Sequence, residues 1–424
     1  MFAFVARQPI LDKEKEVFAY ELMFRDGKNN CFPDNDSTSG SNTQNNSSNL
    51  KLGLDDISCQ KTSFINFTNE TLVKGLPNSL DPKTVVVEFA DGEAGDYSLV
   101  NACEKIRNMG FQIALNGPKL TTSNELLNLV DIVKIDTMQH ALNTIDKQVP
   151  RFIHANVKMV ADNIHTPQDF AIYSDMGFDY FQGYFFSKPE SFSTAPLPVN
   201  KLSLIELIGE TSNEKFTINR INEIIERDVG LSYMLLRFIN NPMINKRFKI
   251  TSLKHALNYM GEVEIKKFIA LLALANLADD KPMELLHMSL VRARFCDLFA
   301  KERKVGDNPP IGFMAGLFSL LDALLDQEMQ QLVLKMPIVD EVKFALCGGQ
   351  NDFYSYIMLA RAFESGTWLK VRRLADILQI DQKRLHSLFN QAIVWGNSVR
   401  HSISPHYPRV KPYSFLKVHC DTQE

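Results

Sequence analysis

The strongest constraint on this chain is a change of rhythm partway along it. Before residue 190, short apolar runs alternate with helical patterns; beyond residue 200, only helical spacing remains. The runs VFAYELMF (17–24), SFINF (63–67), TVVVEF (84–89), FQIAL (111–115), DIVKID (131–136), VKMVAD (157–162) and FDYFQGYFF (178–186) have the length and composition of strands. Several are almost wholly apolar, as strands are when both faces of a parallel sheet are covered. Helical stretches lie between them. DYSLVNACEKIRNMG ends with Gly110 as a helix-stopping residue. TPQDFAIYSDMG starts with Thr166 as N-cap and Pro167 in the first turn. Repeated strand–helix units predict an α/β barrel or a doubly wound sheet.

The proline-rich stretch SKPESFSTAPLPVN (187–200) has no apolar period and reads as a connection. We place an α/β domain at 1–190, a linker at 191–200, an all-helical domain at 201–400 and a tail at 401–424 that packs on the surface or frays. Helices, mostly short, are expected over 202–209, 218–227, 231–239, 253–260, 262–277, 283–302, 313–325, 354–363 and 369–377. Gly348-Gly349 reads as a helix break. PDNDSTSGSNTQNNSSN (33–49) holds almost nothing to bury and is expected as a mobile surface loop.

A net charge of −4 supplies no field for nucleic acid or an anionic membrane, so neither is an expected partner. No apolar run approaches the ~20 residues that span a bilayer. The start, MFAFVARQPILDKEKE, has no basic segment followed by a long apolar one, so no signal peptide is expected. The six cysteines include no CxxC pair, which suits free thiols in a reducing cytoplasm. There is no Walker loop, GxSxG elbow or GxGxxG turn.

Polar residues near the strand ends carry what chemistry there is. RQPILD opens a hairpin that returns as EVFAYELMFR. Glu21, Met23 and Arg25 share a face of the returning strand, and the simplest reading of that Glu and Arg is a solvated ion pair. Asn66 lies among apolar neighbours, as a hydrogen-bonded core residue does. Glu88 follows three valines and precedes Phe89; a carboxylate there is costly to bury without a partner, which suggests a ligand or a cation. Lys134 and Asp136 share a face and read most simply as a local salt bridge. Gln182 is ambiguous alone.

The order of these residues is more specific than any one of them. Gln8-Pro9, Glu21…Arg25, Asn66, Glu88, Lys134-x-Asp136 and Gln182-Gly183 fall on or beside successive strands. This order resembles the EAL domain family, barrel phosphodiesterases of cyclic di-GMP. The Glu-Ala-Leu-x-Arg signature stands here as Glu21-Leu22-Met23-Phe24-Arg25, followed by INF, VEF, VKID and QGYFFSKP. The helical half, with RDVGLSYMLLRFINNP and ITSLKHALNYMG, is similar to an HDOD domain. The resemblance implies a TIM-like EAL-type barrel followed by an HDOD-like helical domain.

It also implies that the catalytic site is degenerate. Where active EAL enzymes carry Asp-Asp-Phe, this chain has Asn116, Gly117 and Pro118. Where they carry Ala-Glu-Gly-Val-Glu, it has Ala161, Asp162, Asn163, Ile164 and His165, and the Glu-x-x-Glu is shortened to Glu88…Asp91. Hard divalent ions need charged oxygens, and the family's pair of ions activates water and neutralises the phosphodiester. No catalytic residue is therefore assigned and no cofactor is required. One weak Mg²⁺ or Mn²⁺ site could use Glu21, Asn66, Glu88 and Asp136, with Asp91 and Asp162 as further candidate acids. Gln8, Glu21, Arg25, Asn66, Glu88, Lys134, Asp136 and Gln182 are the candidate ligand contacts. HDOD domains are related in fold to metal phosphohydrolases that need a His-Asp pair, but none of the nine histidines precedes Asp. His255 and His287 read as packed helix residues. The 292–304 stretch, with Arg292, Arg294, Lys301, Arg303 and Lys304, reads as a solvated helix end and as the place for a nucleotide or an acidic partner if the helical half binds one.

The expectation is a cytoplasmic signalling regulator that senses cyclic di-GMP without hydrolysing it and binds a protein through its helical domain. A weakly active phosphodiesterase and an adaptor that binds no nucleotide are the alternatives.

Overall fold

A computed structural model of the protein describes residues 5–24, 30–33, 54, 56–75, 77, 80–91, 97–118, 122–189, 208–209, 216–226, 229–241, 250–251, 253–277, 281–306 and 308–403. Arg25, nearly all of the polar stretch 33–49, the linker 191–200, most of 202–209 and the end of the tail lie outside them.

Eight strands close into a barrel in chain order. β1 (Val5–Leu11) and β2 (Val17–Phe24) form the expected antiparallel hairpin. The Asp12 carboxylate holds its turn, accepting from the backbone N–H of Glu14 and Glu16 at 3.0 and 2.9 Å. β3 (Thr62–Phe67), β4 (Val85–Ala90), β5 (Gln112–Asn116), β6 (Ile132–Asp136), β7 (Lys158–Asp162) and β8 (Tyr180–Gln182) each run parallel to the strand before. β8 closes on β1 in the antiparallel sense.

Each strand lies close to its expected position except the last. The apolar run 178–186 is extended only over Tyr180–Gln182. Gly183 stops it: its φ is +140°, and a Cβ there would stand 2.1 Å from the Ile164 carbonyl oxygen. The chain leaves the barrel at that glycine, and Phe185–Ser187 form a single 3₁₀ turn.

The outer helices are α1 (Asn69–Val73), α2 (Tyr97–Asn108), α3 (Asn124–Leu127), α4 (Leu142–His154) and α5 (Pro167–Asp175). Gly110 follows α2 at φ +90°, as its position predicts. α5 starts as its sequence indicates: Thr166 and Asp169 form a reciprocal capping box, with Pro167 in the first turn.

The barrel interior is layered. Ile10, Ala19, Phe64, Val86, Ala114, Ile132 and Val160 form one buried apolar cluster, with Phe18 and Tyr180 packed against it. Side chains on a strand return to the same face every second residue. Two positions further toward the C-terminal mouth therefore stand Gln8, Glu21, Asn66, Glu88, Asn116, Lys134, Asp162 and Gln182. An apolar plug thus supports a polar layer, at the end where barrel sites are built.

The second half is all helical among the described residues. Its helices are α6 (Ile218–Glu226), α7 (Val229–Ile239), α8 (Leu253–Leu277), α9 (Met283–Glu302), α10 (Ile311–Leu317), α11 (Leu321–Leu325), α12 (Met329–Lys335), α13 (Asp340–Leu346), α14 (Asp352–Glu364), α15 (Trp368–Ile377) and α16 (Gln382–Ile403). The helices are not all short: α9 has 20 residues and α16 has 22. α16 also carries the domain past residue 400 to Ile403. α8 breaks at Gly261 (φ 74°, ψ 166°), so the two patterns expected at 253–260 and 262–277 are two helical segments. Gly348, at φ +85°, separates α13 from α14 as expected. α9 is the axis, with α10, α14 and α16 packed on it. α10 approaches so closely that a Cβ on Gly316 would lie 2.3 Å from the Arg292 carbonyl oxygen.

One buried ionic cluster joins the two halves. Glu284 on α9 accepts from the Tyr20 hydroxyl of β2 at 2.7 Å. Arg400 of α16 stands 3.4 Å from the same carboxylate. Arg7 of β1 reaches the His287 ring at 3.0 Å and lies over the Tyr20 ring, 4.4 Å from its centroid. His287 is fully buried. Its burial, with Arg7 beside it, pulls its pKa down to about 4 against the opposing pull of Glu284, so the ring is neutral at pH 7. His287 is thus the packed helix histidine expected, held between the halves.

Candidate functional site: the polar layer at the barrel mouth

Lys134 is the centre of the layer. Its ammonium lies 2.6 Å from Glu21 Oε2, 3.3 Å from Glu88 Oε1 and 3.8 Å from Asp162 Oδ2. Burial alone would lower its pKa; the three carboxylates more than reverse that and hold the ammonium well above its ordinary range. Asn116 Nδ2 donates to Glu88 Oε1 at 2.7 Å. Gln182 Nε2 donates to Glu21 Oε2 and, at 3.1 Å, to Gln8 Oε1. Seven of the residues singled out in the sequence, contributed by seven of the eight strands, form one connected network.

The charges do not balance. Three carboxylates face one ammonium. Glu88 is fully buried, and its Oε2 has no hydrogen-bond partner; Gln182 Oε1 is in the same position. Burial raises the Glu88 pKa to about 7, against the pull of Lys134 and with Glu21 and Asp162 adding to the rise. Asp162 is also raised, again chiefly by burial.

The other candidates lie around this network. Asn66 stands in register with Glu88 on the neighbouring strand. Asp136 is one layer nearer the mouth, opposite Asp162, and its Oδ1 accepts from the Met138 N–H at 2.9 Å. Gly117 turns the chain after β5 at φ +65°, its N–H donating to the Lys134 carbonyl at 2.9 Å. Asp91 is engaged by the Thr122 hydroxyl. His165 is exposed and lines a different cavity. Arg25 is outside the described residues.

Two simple readings of the sequence are corrected here. Glu21, 12% exposed, is the nearest anion to Lys134 rather than a solvated side chain. Lys134, 1% exposed, reaches across the barrel rather than to Asp136.

The donor set limits what a metal could use. Glu88 Oε1 and Glu21 Oε2 already accept from N–H donors, and β5 presents the Asn116 amide to this layer. Glu88 Oε2 has no hydrogen-bond partner, and Asn66 stands in register with Glu88 on the neighbouring strand. Among the described residues, no group of three or more His, Cys, Asp or Glu side chains is arranged to hold a metal ion.

Residues 41–189 match the EAL domain family and residues 197–335 match the HDOD domain family. Two curated relatives align over nearly the whole chain. An uncharacterized protein of Bacillus subtilis, YuxH, is 32% identical over 94% of this chain and 99% of its own. The chain belongs to the EAL–HDOD family. CdgJ of Vibrio cholerae, named a cyclic di-GMP phosphodiesterase, is 30% identical over 94% of each chain. A solved structure of Klebsiella pneumoniae BlrP1, in a complex with calcium and cyclic di-GMP, is 18% identical; the match covers 44% of this chain and 55% of that one, with a TM-score of 0.33. No helix among the described residues of this EAL–HDOD protein is long and apolar enough to cross a membrane.

Sequence reasoning passed over Cys31. Burial, then Glu88 and Glu21, push its thiol up to about 11. Nothing in its local sequence signals this. In the HDOD domain, the solvated reading of 292–304 fails at Arg292. That residue is 3% exposed and clamps Glu364 through Nε and Nη2, both at 2.7 Å.

The Glu88 carboxyl makes a test of the electrostatics. Its folded pKa lies above its ordinary value of 4.5, so the folded state binds the proton more tightly and Glu88 lowers stability as pH rises through about 7. Glu88→Gln should melt at a higher temperature than the parent at pH 8 and at nearly the same temperature at pH 5. Scanning calorimetry at the two pH values reads this directly.

Proposed function

We propose that the chain is a cytoplasmic signal-transduction regulator whose EAL domain binds cyclic di-GMP without hydrolysing it and whose HDOD domain engages a protein partner. One observation carries the reading: the carboxylates of the mouth are held by the Lys134 ammonium and by side-chain amides, and the end of β5 offers Asn116, Gly117 and Pro118 in place of acids. Two divalent ions ~3.5–4 Å apart, as in-line displacement at a phosphodiester uses, find too few anionic oxygens there. The same layer keeps Gln8, Lys134 and Gln182, which suit phosphate and base edges. The name of CdgJ supports cyclic di-GMP as the ligand.

The second reading is a weak phosphodiesterase. It rests on that same name and on the unpartnered Glu88 Oε2. A single Mg²⁺ or Mn²⁺, held by Glu21, Asn66, Glu88 and Asp136, would supply Lewis acidity at the phosphodiester. An adaptor that binds no nucleotide is the third.

Calorimetric titration of cyclic di-GMP into the full chain tests these readings. Saturable heat in EDTA is the expected result, and no heat with any metal would leave the adaptor. Restoring Asn116→Asp and Gly117→Asp together adds two charged oxygens and should raise Mn²⁺ affinity. An unchanged affinity would show that β5 does not lead into a metal site.

A further inference from the structure

We propose that the cleft between the EAL and HDOD domains binds a small phosphate-bearing molecule, held by cations that both domains contribute. The cleft is a cavity of about 420 Å³, within the range of small-molecule sites. It is separate from the polar layer of the barrel: none of that network's residues lines it.

Its walls are built for an anion. The EAL domain supplies His165, Tyr184 and Lys188. The HDOD domain supplies Arg292, Ser319, Arg361 and Lys370. Against four Lys and Arg side chains stand two carboxylates, Asp322 and Glu364, so these side chains give the lining two excess positive charges. Glu364 is already satisfied by the bidentate Arg292, whose Nη1 also donates to the Ser319 hydroxyl at 3.2 Å. Lys188, Arg361 and Lys370 are exposed at the rim and have no carboxylate within ion-pair distance among the described residues.

The second observation is Tyr184. Tyr184 lines the cavity, and its hydroxyl is buried with no hydrogen-bond partner. Burial raises its pKa, so it stays a proton donor at every physiological pH. An uncommitted buried donor beside free guanidinium and ammonium groups is what a phosphate oxygen requires, since Arg pairs with phosphate through parallel N–H bonds. The cleft also gives His165 a place, since that residue lines it. Because the lining comes from both domains, an occupant would bridge them.

The test uses the full chain and three probes: inorganic phosphate, adenosine 5′-monophosphate and adenosine. Calorimetry should show saturable binding of the monophosphate and none of adenosine. Binding of inorganic phosphate alone would also support the site, with the phosphate group as its determinant. Arg361→Ala/Lys370→Ala changes only exposed residues; it should leave the melting temperature unchanged and weaken the phosphate-bearing probe about tenfold or more. Cyclic di-GMP titrated into the same variant should bind as it does to the parent, which keeps this site apart from the barrel mouth. The proposal fails if no phosphate-bearing probe saturates the parent protein. It fails equally if adenosine binds as well as its monophosphate, or if the double variant binds unchanged. Loss of cyclic di-GMP binding in that variant would also overturn it, by making the cleft an extension of the mouth.

Discussion

Lys134→Met should destabilise the protein by about 3–5 kcal/mol at pH 8 and by much less at pH 5, measured by thermal or urea unfolding. The methionine replaces the stem of the lysine but not its charge. Glu21, Glu88 and Asp162 then share one buried layer with no cation. At pH 8 all three repel one another in a medium that screens poorly. Glu88 already titrates at about 7 with the lysine present, so without it a proton enters more readily still. The sign follows from linkage. The folded state binds more protons than the unfolded state between the ordinary value of 4.5 and the raised folded value, so stability falls as pH rises through that window. A penalty equal at both pH values would mean that packing of the lysine stem, rather than its charge, holds the layer together.

Glu284→Gln should cost about 3–5 kcal/mol at pH 7, although the two side chains have nearly the same shape. The amide can still accept from Tyr20. It cannot neutralise Arg400, 3.4 Å away, or Arg7, which reaches the His287 ring beside it and feels the charge of Glu284. Breaking a buried ion pair from one side leaves an uncompensated charge, and here it leaves two. The loss falls on the joint between the domains, so barrel and helical half should unfold in two resolved calorimetric steps rather than one. His287 adds a pH signature to the parent protein. Its folded pKa of about 4 is below the ordinary 6.5, so the unfolded state binds the extra proton and stability falls as pH drops from 6.5 toward 4. A loss under about 1 kcal/mol in Glu284→Gln would show that water screens the cluster as it does a surface pair.

Much of the barrel was legible in the sequence because its strands obey simple rules. Val85, Val86 and Val87 are buried together, as a run covered on both faces must be. The polar layer was legible as a set because each member follows an apolar interior residue at strand spacing. Its wiring was not. Lys134 and Glu21 are 113 positions apart, and only closure of the barrel puts 2.6 Å between their charges. Arg292 misled for the same reason: its partner Glu364 lies 72 positions on, and without it a basic stretch looks solvated. Helices α12 and α13 escaped because Leu334 (83% exposed) and Phe344 (56% exposed) place apolar side chains in solvent and blur the period. α16 was not among the expected helices at all, and the prolines that soon follow it drew the domain boundary short of Ile403.

The most direct measurement is product analysis. Purified full chain is incubated with cyclic di-GMP and saturating Mn²⁺, and the nucleotide is resolved by chromatography after many hours. Intact cyclic di-GMP, with binding seen calorimetrically in the same buffer, is the predicted result. Steady accumulation of the linear dinucleotide, abolished by Glu88→Gln, would contradict it: the carboxylates now held by Lys134 would then be serving a working metal centre.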